Sequence, residues 1–450
     1  MDTATAHRLT EKYPLGELLA EGKTKKIHWS PNCDSDKVIV VSKDDITAGD
    51  GAKHDVIPDK GKLANETTCN VFRLLKACGL PVAFVEQDSA ASFVAPFCEM
   101  FPYEVVVRRE AHGSYLKRNP HLGKGQLFPQ LLVEFFLKTK DKKWKRKTGD
   151  NCFREYKLTC DDPYMDYVNL GISTEFKLFN PAKPIHGQEP FLVLPAEEVF
   201  SRDDEWKLFP EMRRIASQTF LVLEKAWQIE GRKLVDFKVE FGFDREGNLL
   251  LADVIDNDSW RVIENGAYID KQVYRDGGTL DDVAAKYKRV AEITGHFQVP
   301  RQRIILWRGS EKDDLRVFSS STVGDLKSII TAITCSVHKE PEKAIATLNR
   351  LVQEVPDSVV IAYIGRSNGA GPVLSAASTV PVITVPASVK DFPDDVWSSL
   401  RTPSNVPVMT VLEPSNAVLA AMQILSARNP QLYAYLRGEV EKRLVNTICI

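Results

Sequence analysis

Apolar and polar residues alternate on both sides of a turn in residues 236–261, and this alternation predicts two paired strands. With Arg245–Asn248 as the turn and Asp244 opposite Leu249, one face is apolar: Phe237, Val239, Phe241, Leu250, Ala252 and Val254. The other face carries Lys238, Glu240 and Asp253, with Glu240 directly across from Asp253. Like charges facing each other destabilise a sheet, so this register calls for a cation between them. Carboxylates completed by phosphates are how proteins hold Mg²⁺ on a nucleotide. The alternative is a solvated hairpin face on which Lys238 neutralises the pair.

The same patterning organises the rest of the chain. Short β-like pieces at Gly16–Ala20 and Lys26–Trp29 flank Glu21–Lys25, and Lys37–Ser42 follows. Asn65–Cys78 has helical periodicity and stops at Gly79. Strands are expected at Val82–Val85, Ser92–Pro96 and Tyr103–Arg108, and helices at Glu211–Gln228 and Leu280–Thr294. This mixture reads as α+β. After a Pro-containing polar connector, residues 296–303, the rhythm changes. Strands at Ile304–Trp307, Val359–Ile364 and Val380–Val385 alternate with helices at Val323–Ile333 and Asn416–Ala427. That is the α/β pattern of a three-layer parallel sheet, with ligands at the carboxyl ends of its strands. The expected domains are 1–295 and 304–450.

Composition narrows the class. At 450 residues, 43% hydrophobic and 27% charged, the chain has ample core for two or three domains. A net charge of −2 gives no support for a nucleic-acid or membrane partner. The basic run Lys138–Lys147 is expected to be a solvated loop. Eight cysteines without Cys-x-x-Cys or zinc spacing suggest a reducing compartment. The first residues lack a signal-peptide layout, so a cytoplasmic location is expected.

Chemistry then enters by combination. Glu21–Lys25 places Lys23 and Lys25 beside a glycine that lets a phosphate approach, without the spacing of a P-loop. Lys43–Asp50 ends a strand, Val107–Arg118 gathers cations around Gly113-Ser114, and Asp270–Arg275 follows the acidic hairpin. In this order, over about residues 15–277, these motifs resemble the phosphoribosylaminoimidazole-succinocarboxamide synthetases. The resemblance implies a two-lobed, ATP-grasp-like fold with ATP and Mg²⁺ as cofactors. It would join L-aspartate to the carboxylate of 4-carboxy-5-aminoimidazole ribotide. Lys23, Lys25 and Lys238 match phosphate lysines, and Glu240 and Asp253 match metal carboxylates. Arg108, Ser114 and Arg261 match ribotide-holding groups, Asp45 and Thr47 a substrate loop, and Lys117 and Arg118 aspartate anchors. The resemblance implies Lys23, Lys238 and Arg261 as the catalytic set in this half. One departure stands out. Where the family has an acidic loop after Val133–Leu137, this chain carries the basic run, and Asp161-Asp162-Pro163 comes only later. Either the run is an insertion that leaves Asp161-Asp162 in the expected place, or the loop is rebuilt.

The second half resembles the animal-type aminoimidazole ribotide carboxylases, which add CO₂ without ATP, biotin or metal. Gly309, Ser310, Asp313, Ser336 and Lys339 match ribose- and phosphate-binding positions. Arg366, Ser367, Gly369 and Gly371 match a loop around the base and CO₂. His338 is the acid–base candidate, because an imidazole titrates near neutral pH; taken alone it reads more readily as a structural histidine. Lys312, Val337, Ile364, Ala376 and Ala377 depart from the family pattern. The resemblance further implies a homo-octamer assembled through this half. Two other readings stay open: an active synthetase with a degenerate carboxylase scaffold, and a kinase-like nucleotide binder. The cations Arg108 and Arg261 argue against the second.

Overall fold

A computed structural model describes residues 12–34, 36–48, 53–149, 152–167, 175–195, 207–318 and 327–444. The end of the Lys43–Asp50 motif and residues 323–326 of the expected helix lie outside them. The chain divides into two compact units, residues 1–298 with 437–450, and residues 299–436. Among the described residues no helix is long and apolar enough to cross a membrane.

Among the described residues the first unit holds two large antiparallel sheets and two two-stranded ones. The smaller of the large sheets runs in the order Leu18–Glu21, Lys25–His28, Lys37–Ser42, Ser92–Pro96, Glu86–Gln87. Helix Lys60–Ala77 packs against it through Val71, Phe72 and Leu75, all fully buried. That helix stops where the sequence predicts. Gly79, at φ +78°, lets its own N–H reach the Lys76 carbonyl and the Leu80 N–H reach the Leu75 carbonyl, the paired bonds of a glycine-ended helix. Val82–Val85 forms no strand; Val82 makes only an isolated bridge to Leu251.

The larger sheet places the strands Leu127–Leu137, Glu99–Glu110, Lys233–Phe243 and Trp260–Glu264 side by side. Helix Leu208–Ile229 covers one face, with Phe220 against Phe237 and Trp227 against Trp260. Helix Leu280–Thr294 begins at Thr279, whose hydroxyl accepts from the Asp282 N–H, a standard N-cap.

The basic run is not a loop. Lys143–Gly149 pairs with Cys152–Lys157 as a two-stranded hairpin. The chain leaves the sheet after Leu137 and returns at Pro163, whose carbonyl accepts from the Leu137 N–H. The hairpin is therefore an excursion, and Asp161-Asp162-Pro163 sits next to the strand end despite its distance in sequence. Three further strands, Tyr164–Tyr167, Glu175–Phe179 and Leu192–Pro195, extend the sheet edge.

The second unit is a parallel sheet in the order Ile330–Thr334, Arg303–Arg308, Ser358–Ile364, Val382–Pro386, Met409–Thr410. Helices Pro341–Glu354 and Pro414–Ser426 belong to separate apolar clusters of this unit. The expected helix Val323–Ile333 is corrected, since Ile330–Thr334 is a strand. Its β-branched Ile and Thr residues suit a pleated surface, and pairing with Arg303–Arg308 outweighs local helical spacing.

Candidate active-site cleft

Strand Lys233–Phe243 brings Asp236, Lys238 and Glu240, two apart and so on one face, to the wall of a cleft of about 1460 Å³. A site for one small ligand measures roughly 300–1,000 Å³, so this one has room for several. Twelve of the described lining residues are Lys or Arg and eight are Asp or Glu. The cleft favours anions.

The register expected for the acidic hairpin is off by one. Glu240 faces Ala252, and Phe241 faces Leu251. A one-residue slip turns every side chain to the other face, so Leu250 and Ala252 leave the Phe237 side and pack with Ala83. Both faces can be apolar because Pro81 and Ala83 hydrogen-bond Leu251 and cover the strand. Asp253 still enters the cleft. Its φ of +64° puts it in the left-handed region just past the strand end, and its carboxylate pairs with Lys25.

Lys138 Nζ donates to both oxygens of Glu240 at 2.7 and 2.8 Å. Lys238 Nζ lies 3.8 Å from Glu240 and donates to Glu104 at 2.6 Å. Burial pushes the Glu240 carboxyl up, but Lys138, Lys238 and Lys25 outweigh it and hold the pKa below the ordinary value. Burial lowers Lys25 to about 8 in spite of Glu240. Lysine ammonium groups thus supply the positive charge that the two carboxylates demand. Among the described residues no group of three or more His, Cys, Asp or Glu is placed to hold a metal ion by itself. Two carboxylates in a cationic cleft match the donor set of a Mg²⁺ ion completed by phosphates, so Glu240 and Asp253 fit such an ion.

A row of alternating charge crosses four neighbouring strands beside this pair. Pairing sets Asp236 between Arg108 and Arg261. Asp236 accepts from Arg108 Nη1 at 2.8 Å and from Arg261 Nη1 at 2.8 and 3.0 Å. Glu134 accepts from Arg108 Nε at 2.7 Å and from Arg118 Nη2 at 2.6 Å. Arg108 and Arg118 are only 3% and 2% exposed. Burial opposes the Arg108 charge, yet Glu134 and Asp236 more than compensate and raise its pKa. Arg261 is the more open guanidinium, and it lies against Gly113, where a Cβ would stand 2.3 Å from its Nη2. Ser114 starts the short helix Ser114–Arg118 at the cleft wall.

Lys23, Lys25, Thr47, Arg108, Ser114, Arg118, Lys238, Glu240, Asp253 and Arg261 therefore meet in one cleft. Two predicted residues do not join them. Lys117 is exposed, and Asp45 is turned to His54 at 2.7 Å and Lys43 at 3.7 Å. Sequence reading missed Glu134, Asp236, Lys138 and Asp258. Asp258 accepts from Lys271 at 2.9 Å and from the Tyr287 hydroxyl, with Lys60 3.9 Å away. Burial pushes the Asp258 carboxyl up, but Lys60 and Lys271 pull it down further. Asp236 carried a readable signal, being in phase with Lys238 and Glu240.

In the second unit three loops leave the carboxyl ends of adjacent strands. Gly309 and Ser310 both donate backbone N–H groups to Asp313 Oδ2 at 3.1 Å. Asp313 Oδ1 lies where a Cβ on Gly365 would stand, 2.6 Å away, so this carboxylate packs the first loop against the third. Ser336 Oγ accepts from the Lys339 N–H at 3.3 Å, across a turn that leaves His338 exposed. Arg366 covers the Phe392 ring at 4.0 Å, and Ser367 Oγ accepts from the Gly369 N–H at 3.2 Å. Gly371 serves packing, since a Cβ there would collide with Thr384. The departures also find places. Val337 and Ile364 are 3% exposed and belong to the apolar core. Ala376 and Ala377 end helix Ala370–Ala376, about 10 Å of helix beyond the Gly365–Gly369 loop. Lys312 is exposed.

Comparison with known proteins finds a separate family match for each half of the chain. A SAICAR synthetase family model matches residues 18–161 and 197–294, and an AIR carboxylase model matches 304–444. The residues between the two synthetase segments include the three added edge strands. The probable multifunctional protein ADE2 of Caenorhabditis elegans is 34% identical over 443 residues, 96% of this chain and 95% of that one. The Drosophila melanogaster bifunctional phosphoribosylaminoimidazole carboxylase/phosphoribosylaminoimidazole succinocarboxamide synthetase is 34% identical over 97% of this chain and 95% of its own. A solved structure described as SAICAR synthetase (Type-2) in complex with ADP covers 62% of this chain and 97% of its own, at 28% identity and TM-score 0.47. Treponema denticola PurE covers 32% and 94%, at 26% identity and TM-score 0.28. Matched in both halves and along nearly its whole length, the chain belongs to the bifunctional AIR carboxylase/SAICAR synthetase family.

Proposed function

We infer that the chain catalyses two successive steps of purine biosynthesis. Its second unit carboxylates 5-aminoimidazole ribotide with CO₂, and its first uses ATP to join L-aspartate to the new 4-carboxylate. The observation that carries the synthetase reading is the shared cleft. The Glu240–Asp253 pair with its lysines suits Mg-ATP, and the guanidinium row suits an anionic ribotide. Two antiparallel sheets around a nucleotide cleft accord with an ATP-grasp-like arrangement.

A carboxylate resists amine attack because oxide would have to leave. A substrate carboxylate oxygen therefore attacks the γ-phosphorus and ADP departs. The aspartate amine then attacks the acyl carbon, phosphate leaves, and the amine gives up a proton. Lys23, Lys25 and Lys238 neutralise the phosphate charge that builds up. Arg261 and Ser114 hold the ribotide, and Arg108 and Arg118, locked in buried pairs, fix the wall behind them. Mg²⁺ on Glu240 and Asp253 would supply further neutralisation of the phosphates when bound.

In the carboxylase the electron-rich C4 of the aminoimidazole attacks CO₂, and the C4 proton must then be removed. His338 stands exposed at the carboxyl edge, where it can take that proton. The departures at Val337, Ile364, Ala376 and Ala377 fall in the core or at the far helix end, which favours activity over a bare scaffold. A homo-octamer and a cytosolic location belong to the same reading. A coupled assay from aminoimidazole ribotide, bicarbonate, aspartate and Mg-ATP tests it. Succinocarboxamide product is expected, and His338→Ala should abolish the first step while sparing the second. Product formed only from supplied carboxylated ribotide would instead establish the scaffold role.

A further inference from the structure

The basic hairpin has no part in the chemistry above, yet it is built into the cleft. Trp144 anchors it, only 6% exposed, stacked on Tyr156 and set in an apolar socket of Leu137, Met165, Phe176, Leu178 and Leu194. Alternation along the strand turns Lys143 and Lys145 to the face opposite Trp144. Both of them, with Lys140, line the cleft. Asp141, Asp161 and Asp162 line the cleft beside these lysines. Asp161 accepts from the Lys142 N–H and Asp162 from the Thr139 N–H, each at 2.8 Å, which clamps the neck of the hairpin. Glu155 is shared between Lys143 at 3.4 Å and Lys145 at 3.9 Å, so one carboxylate meets two cations. At the base of the neck, Lys138 is bonded to Glu240. The hairpin therefore stands at the Glu240–Asp253 end of the cleft.

We propose that the hairpin is an added polyphosphate-binding wall, on which Lys140, Lys143 and Lys145 hold the phosphate chain of the nucleoside triphosphate. It rests on the synthetase reading above. It extends the phosphate grip of Lys23 and Lys25 with an element from a different part of the chain. A rigid anchor matters here, because cations fixed in place bind with less loss of side-chain freedom than cations on a loose loop.

Isothermal titration of the full chain tests the proposal, with Mg-ATP, adenosine and 4-carboxy-5-aminoimidazole ribotide as probes. Three exposed ion pairs lost together amount to on the order of tenfold in affinity. The triple variant Lys140→Gln, Lys143→Gln, Lys145→Gln should bind Mg-ATP about tenfold more weakly by that measure, with adenosine and ribotide binding unchanged. Trp144→Ala keeps the lysines but unseats the hairpin, and should give the same selective loss. Wild-type affinity for Mg-ATP in both variants overturns the proposal. A loss confined to the ribotide overturns it too, by assigning the lysines to the ribotide phosphate. An equal loss for adenosine overturns it by showing general damage to the cleft. Failure of the unaltered protein to bind Mg-ATP at all would instead overturn the synthetase reading.

Discussion

Gly113→Ala should disable the synthetase by moving Arg261. Gly113 has φ +56° and ψ −130°, a conformation that side chains other than glycine's rarely adopt, and holding alanine there costs about 1–3 kcal/mol. The new methyl would start 2.3 Å from Arg261 Nη2 and 2.7 Å from its Cζ, so the guanidinium must swing away. That gives up its 2.8 and 3.0 Å bonds to Asp236. The Arg261 side chain is 16% exposed, and a pair of that kind adds up to about 1 kcal/mol. The total is near 3 kcal/mol, or roughly 6 °C in Tm at about 2 °C per kcal/mol for a unit of this size. Thermal unfolding gives the first readout, and the KM for carboxylated ribotide, set against that for ATP, gives the second. The ribotide KM should rise at least tenfold while the ATP KM changes little. Arg261→Lys, which keeps the charge without the fork or the backbone strain, should share the KM effect and keep the Tm. A Gly113→Ala protein with wild-type Tm and wild-type KM would refute the contact.

Glu134→Ala leaves Arg118 without its carboxylate and Arg108 with only one, both almost fully buried. Breaking a buried pair costs about 3–5 kcal/mol, which a urea midpoint will register; a loss below 1 kcal/mol would mean that water reaches the row. Asp270 offers a pH test. Burial raises its carboxyl from 3.8 to about 7 against the Gln272 and Val262 N–H groups and Arg261. Between those values the folded state keeps a proton that the unfolded state releases, so its contribution to stability falls as pH rises and is least above 7. Asp270→Asn cannot titrate, so its urea midpoint relative to wild type should improve from pH 5 to pH 8. A constant difference would contradict the raised carboxyl.

Much of the cleft could be read from sequence because its residues cluster in a few short motifs. The hairpin turn was legible, but its register was not. A single residue in the turn decides it, and the left-handed backbone at Asp253 carries no mark in its side chain. Periodicity of two would have added Asp236. On the Ser114–Arg118 helix, Arg118 lies one turn on from Ser114 and shares its side, while Lys117 is rotated by about 100° from Arg118 and faces solvent. Long β-branched runs made the parallel strands visible, whereas Ile330–Thr334 carries its information in its neighbour across the sheet. The basic run misled because charge alone argues for solvent, and only Trp144 within it hinted at an anchor.

The row Glu134–Arg108–Asp236–Arg261 has a consequence for assembly as well as for chemistry. Each member comes from a different one of four adjacent strands, and Asp236 is the register partner of both arginines it binds. A slip of one residue in any strand would carry its charge to the opposite face and strand the others unpaired in the interior. The row thus acts as a checksum on the alignment of the sheet. A misaligned sheet cannot present a partly working site, so chains of this enzyme should divide into those correctly registered and active and those that are neither.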